Sequence, residues 1–98
     1  MAELDLSPKA RDDLVDIRLY SLENFGPDVA DAYFLSFDQA FDRLATHPYI
    51  GVGCPEFGIG MRCLVHRRHR IFYVIENETV VIVRIIHHAR DNTRALKS

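Results

Sequence analysis

Five histidines and two cysteines give this sequence the side chains that zinc favours: His47, Cys54, Cys63, His66, His69, His87 and His88. Their spacing argues against a metal centre. There is no Cys-x-x-Cys or His-x-x-x-His pair. His87 and His88 are adjacent in a stretch with strand character, so they face opposite sides. The set reads as dispersed surface and turn histidines, and no metal or cofactor is expected. Nucleophilic catalysis would need Cys54 or Cys63 beside an activating base. Cys63 stands next to Leu64 and Val65, as a small core residue would, and Cys54 lies among glycines with no evident base. Asp12, Asp13 and Asp16, like Asp38 and Asp42, read as solvated helix faces rather than paired carboxylates. No catalytic residue is expected.

The arginines carry a stronger signal. Arg62, Arg67, Arg68, Arg70, Arg84, Arg90 and Arg94 gather in the back third, with Tyr73 and most histidines among them. Guanidinium forks match phosphate oxygens, so the set suits a phosphate backbone or the charge that develops in RNA cleavage. It suits an acidic protein partner equally well. Solubilising charge at a sheet edge explains Arg67, Arg68 and Arg94 but not Arg84. That residue interrupts TVVIVRII, the most apolar run of the chain, and a buried guanidinium needs a partner or a wet cleft. Strand alternation puts Arg84 on a face with Val80, Ile82 and Ile86. That face is either incompletely covered or reserved for something else.

The elements that position these residues read as follows. Met61–His66, Arg70–Ile75 and Thr79–Ile86 form a three-stranded meander, turned at Arg67-Arg68 and at Glu76-Asn77-Glu78. Upstream, Glu3–Leu6 alternates polar and apolar, as a short edge strand does. Ser7-Pro8 is a helix start, a hydroxyl N-cap followed by proline at the first helical position. Ala10, Leu14, Ile17 and Ser21 line one face of that helix, and Val15, Leu19 and Leu22 form a second apolar stripe beside it. Phe25-Gly26-Pro27 ends the helix and starts another, in which Ala30, Tyr33, Phe34, Phe37, Phe41 and Leu44 recur at helical spacing. The short link predicts an antiparallel two-helix hairpin. His47-Pro48 stops the second helix, and 49–60, rich in glycine, reads as a surface loop. The tail after His88 is short, polar and basic. The predicted fold is α+β: an N-terminal strand and a helix hairpin packed on one face of a mainly antiparallel sheet.

With 98 residues there is room for one domain, 1–98, and one modest core. No run approaches the roughly 18 apolar residues of a membrane span, and the charged start is not a signal peptide. Two cysteines are too few for a disulfide scaffold, so a reducing cytoplasm fits. The net charge of −2 hides a polarity: 11 acidic against four basic residues up to Phe57, and three against eight from Gly58 onward. An acidic front and a basic back suit either different partners for the two halves or mutual neutralisation within the fold.

Taken together, LSPKARDDLVDIRLYSLENFG, an aromatic second helix ending in RLATHP, and MRCLVHRRHRIFYVIENETVVIVRIIHHARD resemble the RelE/ParE superfamily of bacterial type II toxins, and within it the ParE branch. The resemblance covers nearly the whole chain and is most specific in RIFYVI followed by VVIVRIIHHARD. It implies inhibition of growth through DNA gyrase. It also implies neutralisation, in a hetero-oligomer, by a ParD-type antitoxin whose C-terminal segment wraps the toxin's helices and sheet. The RelE branch instead cleaves mRNA on the ribosome with Lys, Arg and Tyr residues. Arg70 and Arg90 match two basic positions of that set, but Met61 and Cys63 stand where its strand lysines would be, and its tyrosine position falls near Leu96. The acid/base machinery for cutting RNA is therefore expected to be missing. Antitoxin contact is expected at Leu14, Leu19, Leu22, Arg62, Arg70 and Arg84, and target contact at Arg70, Arg90, Asn92 and Arg94.

Overall fold

Ser7 joins three elements at once. The computed structural model describes residues 2–87. In it strand β1 (Glu3–Leu6) ends at Ser7, and helix α1 (Pro8–Thr46) begins at the next residue. The Ser7 hydroxyl accepts from the Ala10 N–H at 3.0 Å, which caps the helix start. The same hydroxyl donates to the Val83 carbonyl at 2.7 Å, while the Ser7 N–H donates to the Ile82 carbonyl.

α1 corrects the expected pair of helices. It is one helical element of 39 residues, interrupted only by non-helical angles at Gly26 (φ 83°, ψ 172°). Straight, it would extend about 58 Å, well beyond the 38 Å longest dimension of the molecule. The bend at Gly26 resolves the mismatch, because an open backbone angle there is accessible only to glycine. Arg18 and Phe34, each eight residues from Gly26, meet with the guanidinium 5.3 Å from the ring centroid, and Arg18 pairs with Asp31 at 2.9 Å. The pair is half exposed and contributes about 0–1 kcal/mol. Each fully buried Leu, Ile or Phe contributes about 1.5–3 kcal/mol, so apolar packing holds the limbs down. No loop separates the limbs because Pro27 can start a helical turn directly.

The sheet is also corrected, from mainly antiparallel to mixed. Its strand order is β1-β5-β4-β3-β2, with β1 parallel to β5 (Thr79–His87). β4 (His69–Glu76) runs antiparallel to β5 and to β3 (Arg62–His66). β2 (Val52–Gly53), within the stretch read as loop, pairs with β3 and is followed by a 3-10 turn at Pro55–Phe57. Asn77 and Glu78 both take positive φ, the geometry of a tight hairpin turn.

Both limbs of α1 cover one sheet face. Leu14, Ile17, Phe37 and Leu44 pack there against Ile71, Tyr73, Val80, Ile82 and Ile85. On the other face a smaller cluster of Cys54, Cys63, Phe72 and Ile86 lies beneath Phe57 and Met61. Ile82 and Ile85 share a face although three residues apart, because a bulge breaks the register between Phe72–Arg84 and Tyr73–Ile82 and leaves Val83 extra. The bulge therefore takes Arg84 off the face of Val80 and Ile82 and aligns it with Phe72. Among the described residues no helix is long and apolar enough to cross a membrane.

Candidate functional site

Arg84 has its partner in Asp13. β1 pairs with β5 only as far as Ile82, so the rest of that edge of β5 would present bare backbone groups. Asp13, on the second turn of α1, fills the gap. Its carboxylate accepts from Arg84 Nε (2.9 Å), from Arg84 Nη2 (3.1 Å) and from the Ile85 N–H (2.8 Å). Both side chains are largely buried, at 18% and 14% exposure. The hydrogen bond to Asp13 raises the Arg84 pKa against the opposing effect of burial. The reading of Asp13 as a solvated acid is thus corrected: it is the counter-ion of the one charge inside the apolar strand.

Three of the histidines read as dispersed come together. His66, His69 and His87 share the helix-side face at the β3–β4 end of the sheet, because His66 pairs with His69 and His69 with His87 across neighbouring strands. The Tyr33 hydroxyl meets His69 Nδ1 at 2.6 Å, and Ser36 Oγ meets His66 Nε2 at 2.8 Å. The His69 and His87 rings lie edge to face at 5.2 Å, and His66 lies 4.8 Å from Phe37. Burial, reinforced by His87 and His66 and opposed by Asp13, lowers the His69 pKa to about 4. His69 is therefore neutral near pH 7, with Nδ1 in hydrogen-bond contact with the Tyr33 hydroxyl. Burial lowers His66 too, aided by Arg67 and Arg43. It raises Tyr33, against the Arg68 backbone N–H and the charges of Arg67 and Arg68. Sequence reasoning missed this cluster, although strand parity held the signal: His69 alternates in phase with Ile71 and Tyr73. Among the described residues no three His, Cys, Asp or Glu side chains are arranged to hold a metal ion.

The residues singled out from the sequence fall on different surfaces. Leu14 faces the sheet as part of the core, Leu22 is half-buried, and Leu19 is 53% exposed. Val15, Tyr20, Phe25 and Val29 are exposed near Leu19 along the first limb and around the bend, where Tyr20 and Phe25 contact edge to face. Arg70 and Arg84 stand on neighbouring strands in matching phase, Arg70 opposing Ile86 and Arg84 opposing Phe72, with the Arg84 guanidinium drawn to Asp13. Arg62 does not join them. It opposes Tyr73, lies over the Tyr49 ring and donates to the carbonyls of Tyr49 and Gly51. Arg90, Asn92 and Arg94 lie outside the described residues.

The model of a protein family described as the ParE toxin of the type II toxin–antitoxin system parDE matches residues 4–92. The chain is also 31% identical over 90 residues to Toxin ParE1 of Caulobacter vibrioides, covering 92% of each sequence. The chain belongs to the ParE toxin family. It is accordingly a type II toxin–antitoxin toxin of the ParE branch of the RelE/ParE superfamily. Its fold is similar to a chain of the chromosomal ParDE system from P. aeruginosa (TM-score 0.77, 24% identity, covering 89% of this chain and 96% of that one). It is similar also to a chain of the RelBE2 toxin–antitoxin complex from Mycobacterium tuberculosis (TM-score 0.62, 24% identity, covering 88% and 96%). At these identities the likeness concerns the fold.

Cys63, which the resemblance sets at a strand-lysine position of the RelE branch, is buried with Cys54 and Phe72 on the face away from α1. Met61 beside it is half-buried against the same cluster.

Proposed function

We propose that this protein arrests bacterial growth by binding DNA gyrase, without itself catalysing a reaction, and that a cognate ParD-type antitoxin neutralises it in a cytoplasmic hetero-oligomer. The observation that carries the reading is membership of the ParE family over residues 4–92. The chemistry of the strands supports it. An RNA-cutting centre needs groups that accept and deliver protons at the scissile phosphate. Cys63 is buried at one such position, and Arg84, the guanidinium on the strand next to Arg70, is engaged by Asp13. Leu19 and Leu22, with Val15, Tyr20 and Phe25, offer an antitoxin an apolar strip of the kind an amphipathic helix covers. Arg62, Arg70 and Arg84 are the assigned contacts for the segment lying beside the sheet. Target contact is assigned to Arg70 and to Arg90, Asn92 and Arg94.

The test is the toxin purified free of antitoxin, added in parallel to a gyrase supercoiling and cleavage assay and to ribosomes translating a defined transcript. The expected result is accumulation of cleaved DNA with gyrase, and intact transcript on the ribosome. Transcript cleavage with unaffected gyrase would transfer the assignment to ribosome-dependent RNA cleavage.

A further inference from the structure

The β3–β4 end of the molecule gathers three exposed arginines. Arg67 and Arg68 form the whole hairpin connection between β3 and β4, and both are exposed. Arg43 lies in the last turn of α1, also exposed. Neither the Arg18–Asp31 pair nor the Arg84–Asp13 pair involves these three arginines. They act on the same spot: Arg67 and Arg43 both lower the His66 pKa, and Arg67 and Arg68 both favour the ionised form of Tyr33.

The Arg67 side chain lies over an aromatic ring. Its guanidinium lies 5.9 Å from the Tyr33 ring centroid, and that tyrosine is fixed through its hydroxyl to His69. A guanidinium stacked on an aromatic ring keeps its N–H edge free for an anion and loses little entropy on binding one. Arg67 also takes a φ of 55°, a left-handed conformation that costs an ordinary side chain about 1–2 kcal/mol and that glycine or asparagine adopts more readily. The turn would be more stable with a smaller residue, so turn geometry does not account for the arginine.

We propose that Arg43, Arg67 and Arg68, braced by Tyr33, form a contact surface for the phosphate backbone of duplex DNA. Single strands are gripped on exposed aromatic platforms on which bases stack. Here Tyr33 is half-buried, contacting Phe37 and lying beneath Arg67, so the surface offers charge without a stacking face. Three arginines without base-reading partners make a sequence-independent contact. A chain of net charge −2 has little overall attraction for a polyanion, so this local concentration of charge governs binding and fixes which end of the protein approaches. The surface rests on charge and geometry alone and does not depend on gyrase as target.

The experiment measures binding of the full-length chain to a short fluorescent duplex by anisotropy, without gyrase, over a series of salt concentrations. The variant is R67N/R68Q, in which asparagine fits the left-handed position, with circular dichroism and thermal melting to verify the fold. Binding by the wild type is expected to weaken with salt. The double variant should bind more weakly on every duplex sequence, with a log–log salt slope shallower by about 1.8, or about 0.9 for each phosphate that is no longer neutralised. Arg11→Gln, on the exposed acid-rich first limb, should leave the slope unchanged, and Arg67→Lys should largely retain it. Equal slopes for the folded double variant and wild type would overturn the proposal, as would tighter binding of a single-stranded RNA or DNA of the same length. Failure of gyrase inhibition with the salt effect intact would leave this surface standing and remove only the gyrase reading.

Discussion

Lowering the pH from 7 to 5 should destabilise this protein through His69. The imidazole is neutral in the fold because it is buried against Tyr33, with His66 and His87 beside it, and its pKa falls from 6.5 to about 4. Between those two values the unfolded chain binds a proton that the folded chain does not. Stability is therefore complete above about pH 6.5 and declines as pH falls toward 4. Linkage with these two values gives a loss of about 2 kcal/mol between pH 7 and pH 5, reduced to about 1 kcal/mol by solvent reaching the ring. His66, lowered in the same direction, adds to the slope. The assay is urea unfolding at a series of pH values for wild type and His69→Gln, whose amide can still accept from Tyr33 but does not titrate. The variant should lose much of the pH dependence between 7 and 5. An identical slope in the two proteins would show that His69 is already protonated in the fold, and the reasoning from burial would be wrong.

Other substitutions test other joints of the structure. Asp13→Ala leaves Arg84 without its counter-ion and the Ile85 N–H without an acceptor. The expected loss is about 3 kcal/mol in denaturant unfolding, whereas Asp12→Ala on the exposed face should change little. Gly26→Ala meets no neighbouring atom, yet it should cost roughly 1–3 kcal/mol because its backbone angles exclude a side chain, and calorimetry would register the lower melting temperature. Tyr73→Phe removes the hydroxyl that donates to the Pro48 carbonyl at 2.7 Å and accepts from the buried Gly51 N–H at 2.9 Å. A loss of about 1–3 kcal/mol is expected, with faster amide exchange at Gly51. Leu19→Glu, on the exposed strip, should leave stability within about 0.5 kcal/mol of wild type but weaken capture of a ParD-type antitoxin in a pull-down.

Where sequence and structure agree, the determinants are local. Ser7-Pro8 announces a capped helix, and the β-branched run from Thr79 announces the central strand, because capping and alternation need only near neighbours. Most of the errors involve partners far away in the chain. The parallel pairing of Glu3–Leu6 with Thr79–Ile82 leaves no trace in either segment, and two residues at Val52–Gly53 are too few for a pattern. Strict alternation puts Arg84 on the wrong face because one extra residue, Val83, resets the phase. Choosing Asp13 over Asp12 or Asp16 as its partner requires knowing where β1 stops. His69 was legible, since its phase with Ile71 and Tyr73 marks it as inward-facing, but the Tyr33 it meets comes from α1, 36 residues away.

The parallel pairing of β1 with β5 makes the start of the fold depend on a strand far along the chain. β1 can hydrogen-bond only once β5, more than seventy residues further along, has been made, and α1 likewise waits for the strand that carries Val80, Ile82 and Ile85. A product that stops short of Thr79 has neither a neighbour for Leu4 and Leu6 nor an anchor for Asp13. Polypeptides of this toxin cut before Thr79 should therefore be unfolded and harmless, fit only for proteolysis.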